Sequence, residues 1–423
     1  MRKLLIIDVA ALSHDLQVGG MALRPMRSVF PAVTCTVQAS FRTAAAPARH
    51  GMIANGLYSR QLHRPMFWEQ SADLVEGPRI WDGFRRRGGT VGLLFWQQSL
   101  GERADVILSP APIHKHHGGM IQDCYSKPAG LYERLCQAVG RDFNLMHYWG
   151  PLASAKSGDW IASATAALLT DAAAPDLLLT YLPTLDYDFQ RWGKGHPKSA
   201  KAMTALQRQL EILTLAARAR HYEIVLFGDY AMGDTHGGAV FPNRALRQAE
   251  LLAVRTVAGR LYPDFHSSRA FAVVDHEVAH VYVKDTADVE RAKAVLAQLP
   301  GVAEVLDREA RAELGLDHAN SGELVLLAQE GCWLAYPWWT GKRQAPDYAT
   351  HVDIHNKPGY DPCELFFGWP PPGVSQDTGR IKGSHGRAGK GRQVAWGSTI
   401  DFPHPPSTLL ELAGAVRDWL EQA

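Results

Sequence analysis

Unbroken runs of apolar residues recur through the first 230 positions and predict buried strands. They lie at 3–9 (KLLIIDV), 90–96 (TVGLLFW), 176–182 (DLLLTYL) and 222–228 (YEIVLFG). Runs without polar alternation are typical of strands covered on both faces, as in a parallel sheet. Between them, the segment at 201–221 spaces its apolar residues three and four apart, which predicts an amphipathic helix. Together they predict an α/β fold with a doubly wound, mostly parallel sheet flanked by helices.

The pattern changes from about residue 268. The segment at 269–285 (RAFAVVDHEVAHVYVKD) predicts one long strand, the segment at 286–306 a helix leading into a strand, and the segment at 323–339 an aromatic-rich strand. We therefore expect a small α+β cap insertion at 255–345. The catalytic core is expected to comprise residues 1–254 and 346–423, the latter rich in loops.

Composition narrows the class of protein. The 423 residues are 46% hydrophobic and 21% charged, with a net charge of +1, which is ordinary for a soluble globular protein. A near-zero net charge gives no reason to expect nucleic acid or an anionic membrane as partner. The five scattered cysteines predict neither a disulfide framework nor a zinc finger. The N-terminal apolar run is too short for a signal peptide, so we expect a cytoplasmic protein, of unspecified oligomeric state.

Three carboxylates fall at or just past the ends of the predicted strands. They are Asp8, Asp186 and Asp229. Each one alone is compatible with a helix N-cap or a surface acid. Because the carboxyl ends of neighbouring parallel strands converge, the three are expected to lie close together. Clustered carboxylates repel one another unless a cation neutralises them, which favours a metal site.

The segment at 30–60 supplies a candidate nucleophile. Pro31 favours an extended approach, and Thr34 then precedes a run compatible with a helix. A hydroxyl at a helix N-terminus lies beside free backbone N–H groups and the positive end of the helix dipole, where phosphate binds. The alternative is that Thr34 or Thr36 merely caps the helix.

This segment resembles the nucleophile region of the type I phosphodiesterase/nucleotide pyrophosphatase branch of the alkaline phosphatase superfamily. In that branch a nucleophilic Thr precedes a P-x-x-H-G-I-x-x-N signature, and PARHGMIAN here spans 47–55. The spacing to His50 selects Thr34 over Thr36. The FPAVTCT opening is also similar to that of the phosphonoacetate hydrolases. The resemblance implies an alkaline-phosphatase-like core, Thr34 as nucleophile and Asn55 as a substrate contact.

The same resemblance implies a set of metal ligands. Asp8, Asp186 and Asp229 match the three aspartates of the family, and the Thr34 hydroxyl is a further ligand in the implied set. The late histidine corresponds to His385 in KGSHGR or to His355 in VDIHNKPGYDP, and the SHG triplet favours His385.

Two positions depart from the family pattern. Gln190 and Tyr230 stand where the family has histidines, and Asp188 is a possible extra carboxylate. The resemblance implies two divalent metal ions, with Gln190 and Tyr230 as oxygen-donating ligands. Zinc is the family metal, but an oxygen-rich site better suits Mn²⁺, Mg²⁺ or ferric iron.

The activity implied is hydrolysis of a phosphodiester or phosphoanhydride through a phospho-threonine intermediate. The partner expected is a small phosphorylated substrate, for example a nucleotide-linked one. Two alternatives remain open: a phosphonate or phosphomonoester hydrolase on the same core, and a catalytically inactive binding homologue. A sulfatase is disfavoured because no C/S-x-P-x-R motif is present.

Other polar residues are candidates of lower specificity. Asn243 and Arg244 follow the Asp229 strand and could hold a phosphate, although surface pairing is an alternative. The histidines of IHKHHGG (113–119) suit either a metal or, more simply, a solvated loop. His276 and His280 share one face of the long strand predicted at 269–285, where they are either packed or roof the active site.

Overall fold

The structure is a computed structural model that describes residues 2–422. In chain order its strands are β1 (Leu4–Val9), β2 (Arg24–Met26), β3 (Gly56–Ser59), β4 (Arg64–Phe67), β5 (Val91–Leu94), β6 (Val106–Pro110), β7 (Ile113–His114), β8 (Met120–Ile121), β9 (Cys124–Lys127), β10 (Leu177–Leu182), β11 (Glu223–Gly228), β12 (Gly233–Asp234), β13 (Gly238–Val240), β14 (Val254–Val257), β15 (Arg260–Pro263), β16 (Ala270–Asp275), β17 (Val278–Val283), β18 (Val302–Leu306), β19 (Leu324–Ala328), β20 (Cys332–Leu334), β21 (Gly383–Ser384) and β22 (Val394–Ser398). The α-helices are α1 (Thr34–Thr43), α2 (Pro47–His50), α3 (Asp82–Arg86), α4 (Leu131–Val139), α5 (Lys156–Thr170), α6 (Thr184–Trp192), α7 (Pro197–Ala219), α8 (Pro242–Gln248), α9 (Val289–Ala297), α10 (Arg308–Glu313) and α11 (Leu409–Glu421).

An eight-stranded sheet forms the centre of the fold, in the order β2-β22-β11-β1-β10-β5-β6-β9. The five strands from β11 to β6 are parallel to one another, and β22 and β9 run antiparallel at either side. The four apolar runs of the sequence are β1, β5, β10 and β11. The predicted doubly wound, mostly parallel α/β fold is therefore confirmed.

Alternate side chains of β1 pack on opposite faces of this sheet. Leu5 and Ile7 join a core cluster with α5 and α7, whereas Leu4 and Ile6 join a second cluster with α1 and α11. Because both faces are covered, every residue of β1 is buried, which is why the strand reads as a continuous apolar run.

The register of the central strands brings their carboxyl ends to one edge. Val9 at the end of β1 lies opposite Leu182 of β10 and Gly228 of β11. Asp8 therefore lies level with the end of β11, where Asp229 follows directly, and Asp186 lies in the first turn of α6 just after β10.

A second sheet, ordered β16-β17-β19-β18, has its own apolar core. The prediction of one long strand at 269–285 is wrong, because β16 and β17 form a hairpin in which Asp275 pairs with Val278. The turn contains His276 in the left-handed region, with φ of 62°. The segment at 323–339 likewise forms two strands, of which β20 pairs with β13 outside this sheet. The division at 255–345 stays a prediction.

Within residues 2–422 all five cysteines are buried free thiols. None of the helices described there combines the length and the apolar character that crossing a bilayer requires.

Candidate active site

Thr34 is the first residue of α1 and lies at the carboxyl edge of the central sheet. The preceding Val33 is extended, and no side chain caps the helix. The Thr34 side chain points instead across the sheet edge, and its Oγ1 donates to Oδ2 of Asp229 at 3.1 Å. Thr34 is 4% exposed. The hydroxyl of Thr34 is thus held by a strand-end carboxylate, and the capping alternative is wrong.

Asp8 and Asp229 form a buried pair of carboxylates beside Thr34. Asp229 also accepts from the backbone N–H groups of Ala11 and Tyr230 through Oδ1. Asp8 accepts one bond, from Nε2 of Gln38 at 2.8 Å, and its Oδ1 has no partner. Burial raises the pKa of Asp8 to about 8, and burial together with the charge of Asp8 raises the pKa of Asp229 well above its usual range.

Asp186, in contrast, has a hydrogen-bond donor on each oxygen. The hydroxyl of Tyr230 donates to Oδ1 at 2.7 Å and Nε2 of Gln190 donates to Oδ2 at 2.6 Å. The Gln190 carbonyl oxygen in turn accepts from the hydroxyl of Tyr360 at 2.8 Å. Burial raises the pKa of Asp186 only to about 6, because these two donors oppose the effect of burial.

Four aromatic rings stack above this carboxylate. Tyr230 lies parallel to His385 at 3.4 Å between centroids, His385 contacts His276 at 3.7 Å, and His276 stacks on Tyr360 at 3.6 Å. Nδ1 of His385 donates to the Ala32 carbonyl, which leaves its Nε2 at 4.0 Å from Oδ1 of Asp186. Burial lowers the pKa of His276 and His385 well below the usual range of histidine.

Asn55 and Asp275 connect this stack to the start of α1. The Asn55 carbonyl oxygen accepts from the backbone N–H of Cys35, while its amide and backbone N–H groups donate to Asp275. Asp275 also accepts from Nδ1 of His276 at 2.7 Å. Asn55 is buried and hydrogen-bonded on both sides, so it holds the start of α1 against the β16–β17 hairpin. A direct contact between Asn55 and substrate stays a prediction.

Three residues that were predicted to belong to the site lie outside this cluster. His355 is exposed and its Nδ1 donates to the carbonyl of Phe67. The amide of Asn243 is fully bonded, to both backbone groups of Ala272 and to the Tyr336 carbonyl. Arg244 donates to the Trp339 carbonyl and lines a separate cavity of about 220 Å³. Asn243 and Arg244 thus brace backbone segments, and neither reaches Thr34.

Further candidates have other roles. Asp188 pairs with Arg191 at 3.5 Å and supplies no extra carboxylate to the cluster. Residues 113–119 lie mostly in an exposed hairpin, as the solvated-loop alternative predicted. His276 is in the turn, so the expectation that it shares a strand face with His280 is wrong, and His280 instead contacts the Ile53 carbonyl. The sequence reasoning missed Tyr360, although it lies in the PGYDP stretch already singled out.

Ready-made metal sites built from three or more His, Cys, Asp or Glu side chains do not occur among residues 2–422. Asp8, Asp229 and Thr34 nevertheless bring two carboxylates and one hydroxyl together at this edge, and the wider ligand set that the resemblance implies stays a prediction.

The buried Asp8 carboxyl predicts a pH-dependent stability in the presence of a chelator. Its folded-state pKa of about 8 exceeds the unfolded value, so the folded protein binds more protons between about pH 4 and pH 8. The contribution of Asp8 is therefore fully present at about pH 4 and is lost as the pH rises to 8.

Asp8→Asn removes that loss. We expect the free energy of unfolding of Asp8→Asn, minus that of the wild type, to increase steadily from pH 4 to pH 8 in urea titrations. A difference that stays constant or decreases over this range would contradict the raised pKa. Saturating Mn²⁺ should stabilise the wild type and abolish the trend.

Comparison with known proteins shows what the chain and its fold resemble. The family model described as type I phosphodiesterase / nucleotide pyrophosphatase matches residues 14–361. Phosphonoacetate hydrolase from Sinorhizobium meliloti 1021, in complex with phosphonoformate, is similar over 99% of this chain and 96% of that chain, with a TM-score of 0.64 and 17% identity.

Murine ectonucleotide pyrophosphatase / phosphodiesterase 5 covers 99% of this chain and 95% of its own, with a TM-score of 0.60 and 14% identity. An inactive variant of that mouse protein, in complex with AMP, gives a TM-score of 0.57 and 13% identity over the same shares of the two chains. No curated protein sequence matches this chain. At these identities the solved structures show a shared fold.

Proposed function

Because the chain belongs to the type I phosphodiesterase/nucleotide pyrophosphatase family, we propose that it hydrolyses a phosphodiester or phosphoanhydride in a metal-dependent reaction with Thr34 as nucleophile. The family and the fold indicate a phosphoester hydrolase, and the class of ester is our proposal. The observation that carries it is the hydrogen bond from Thr34 Oγ1 to Asp229 beside a second, incompletely satisfied carboxylate.

The position of Thr34 suits attack on phosphorus. Its hydroxyl lies at the N-terminus of a ten-residue helix, whose dipole favours the negative charge of a phosphoryl group. Asp229 fixes the direction of the hydroxyl and is the acceptor nearest to its proton. Attack would form a Thr34 Oγ1–phosphorus bond and break the bond to the leaving oxygen. Water would then cleave the phospho-threonine and restore the hydroxyl.

A divalent cation fits the donor set of Asp8, Asp229 and Thr34. The unpartnered Oδ1 of Asp8 supports this fit. A fully buried carboxylate oxygen without a partner destabilises the folded protein unless a cation or a hydrogen-bond donor satisfies it. When bound, the cation supplies positive charge that neutralises the two carboxylates and stabilises the deprotonated hydroxyl.

The proposed substrate is a small phosphorylated compound, for example one linked to a nucleotide. AMP in the related mouse protein supports a nucleotide, whereas phosphonoformate in the bacterial hydrolase supports a phosphonate as the second candidate. Both ligands present a compact anionic group, as the helix N-terminus requires.

A substrate panel tests the proposal. Hydrolysis of a nitrophenyl phosphodiester, a nitrophenyl phosphomonoester and phosphonoacetate is measured with Mg²⁺, Mn²⁺ and Zn²⁺ in turn. We expect the diester to have the highest kcat/KM, and a chelator to abolish turnover. Faster release of phosphate from phosphonoacetate would establish the phosphonate hydrolase instead. No turnover of any substrate with any metal would leave an inactive binding homologue.

A further inference from the structure

The two halves of the carboxylate cluster differ in how their charge is satisfied. On one side, Asp8 has an unpartnered oxygen and faces the negative charge of Asp229. On the other, both oxygens of Asp186 accept strong hydrogen bonds from neutral donors, the phenol of Tyr230 and the amide of Gln190. Asp229 itself accepts three hydrogen bonds, so what distinguishes its side is the unpartnered oxygen of Asp8 and the repulsion between two facing carboxylates, which a cation would relieve.

The donors on Asp186 are unavailable as ligands in this arrangement. Gln190 presents its N–H to Asp186, and its carbonyl oxygen is taken by the Tyr360 hydroxyl. Tyr230 presents its O–H, and a phenol that donates to a carboxylate directs its proton into the space that a cation needs. These are the two positions at which the family resemblance implies imidazoles, whose nitrogen lone pairs would point at a metal.

The aromatic stack also fills the space beside His385. The ring of Tyr230 lies flat against the imidazole, with an interplanar angle of 1°, and the ring of His276 contacts it as well. The Tyr230 hydroxyl is 2.7 Å from Oδ1 of Asp186, while the Nε2 of His385 is 4.0 Å away. The Tyr230 side chain thus packs against His385 and hydrogen-bonds Asp186, so it contacts both of the groups that a second ion would need.

We infer that this site takes one divalent cation, between Asp8 and Asp229 with Thr34, and that Tyr230 and Gln190 replace the second by hydrogen-bonding Asp186. The inference rests on the proposed function only for the presence of the first cation. Since all three ligands of that cation are oxygen, Mg²⁺ or Mn²⁺ is expected to bind in preference to Zn²⁺.

Metal stoichiometry of the full-length protein tests this directly. Bound Mn²⁺ is counted by native mass spectrometry and by equilibrium dialysis with elemental analysis. The wild type should bind one ion and Asp8→Asn none. The double variant Gln190→His/Tyr230→His, which supplies the two missing imidazoles, should bind two ions, of either Mn²⁺ or Zn²⁺. Tyr230→Phe is the matched control: it removes the phenol without supplying a ligand, and should bind one.

Two ions on the wild type, or one ion on a folded double variant, would overturn the inference. If the double variant does not fold, the comparison of the wild type with Asp8→Asn decides. Two ions on the wild type and one on Asp8→Asn would contradict the expected counts of one and zero. The count requires no turnover. If the protein binds one ion but hydrolyses no ester, the proposed function is wrong and this inference stands. If the protein is active and binds two ions, this inference is wrong and the proposed function stands.

Discussion

Replacing Thr34 with Ala is expected to lower kcat/KM for a nitrophenyl phosphodiester by at least about 10³-fold, because it removes the hydroxyl that donates to the Asp229 carboxylate. The loss should appear mainly in kcat, since the substrate would still meet the helix N-terminus and the cation. The thermal midpoint should change little, because the side chain is small and its single hydrogen bond contributes about 1 kcal/mol. Steady-state kinetics with calorimetry measures both.

Thr36 offers a matched control two residues along the same helix. It is also fully buried, and its Oγ1 has no hydrogen-bond partner. Thr36→Ala therefore removes the same atoms without removing a bond to the carboxylate pair, and should keep turnover within about threefold of the wild type. Thr34→Ser should retain part of the activity because the hydroxyl remains. Equal losses in Thr34→Ala and Thr36→Ala would show that the helix N-terminus, and not the Thr34 hydroxyl, is what catalysis needs.

The sequence could predict the fold and the meeting of Asp8 and Asp229 for one physical reason, whereas Thr34 is selected over Thr36 by the family resemblance. Strands that are buried on both faces consist of consecutive apolar residues, which are easily recognised in the sequence. Parallel strands bring their carboxyl ends to one edge of the sheet. Residues just after those runs must then meet there. The contact between Thr34 and Asp229 follows from this geometry together with the helix that begins at residue 34.

The arrangement around Asp186 could not be predicted in the same way. Tyr230 follows Asp229 directly, yet its hydroxyl crosses to Asp186, and Tyr360 reaches Gln190 from a segment 170 residues away. Such pairings depend on tertiary packing, which periodicity does not record. The β16–β17 turn was missed for a local reason: residues 275–278 contain no Gly, Pro or Asn, and strand formers flank them on both sides.

The segment that carries Tyr360 is anchored by a buried lysine. The side chain of Lys357 is 1% exposed, and its Nζ contacts Asp361 at 2.8 Å and Glu364 at 2.6 Å. Glu364 also accepts from the Trp149 indole N–H. Burial and the charge of Asp361 raise the pKa of Glu364, while Lys357 opposes this effect. One ammonium group therefore balances two buried carboxylates in the segment that carries Tyr360.

Lys357→Met is expected to lower the free energy of unfolding by about 3–5 kcal/mol, because it leaves two buried carboxylates without a counter-charge. Urea denaturation measures the change, and the loss should shrink at acidic pH as those carboxylates become protonated. Lys382→Met, at an exposed lysine whose Nζ donates to the Gly379 carbonyl, should change stability by no more than about 0.5 kcal/mol. If Lys357→Met lowers the free energy of unfolding by less than about 1 kcal/mol, water or a rearranged loop compensates the two carboxylates. The ion cluster would then not be what positions Tyr360 against Gln190.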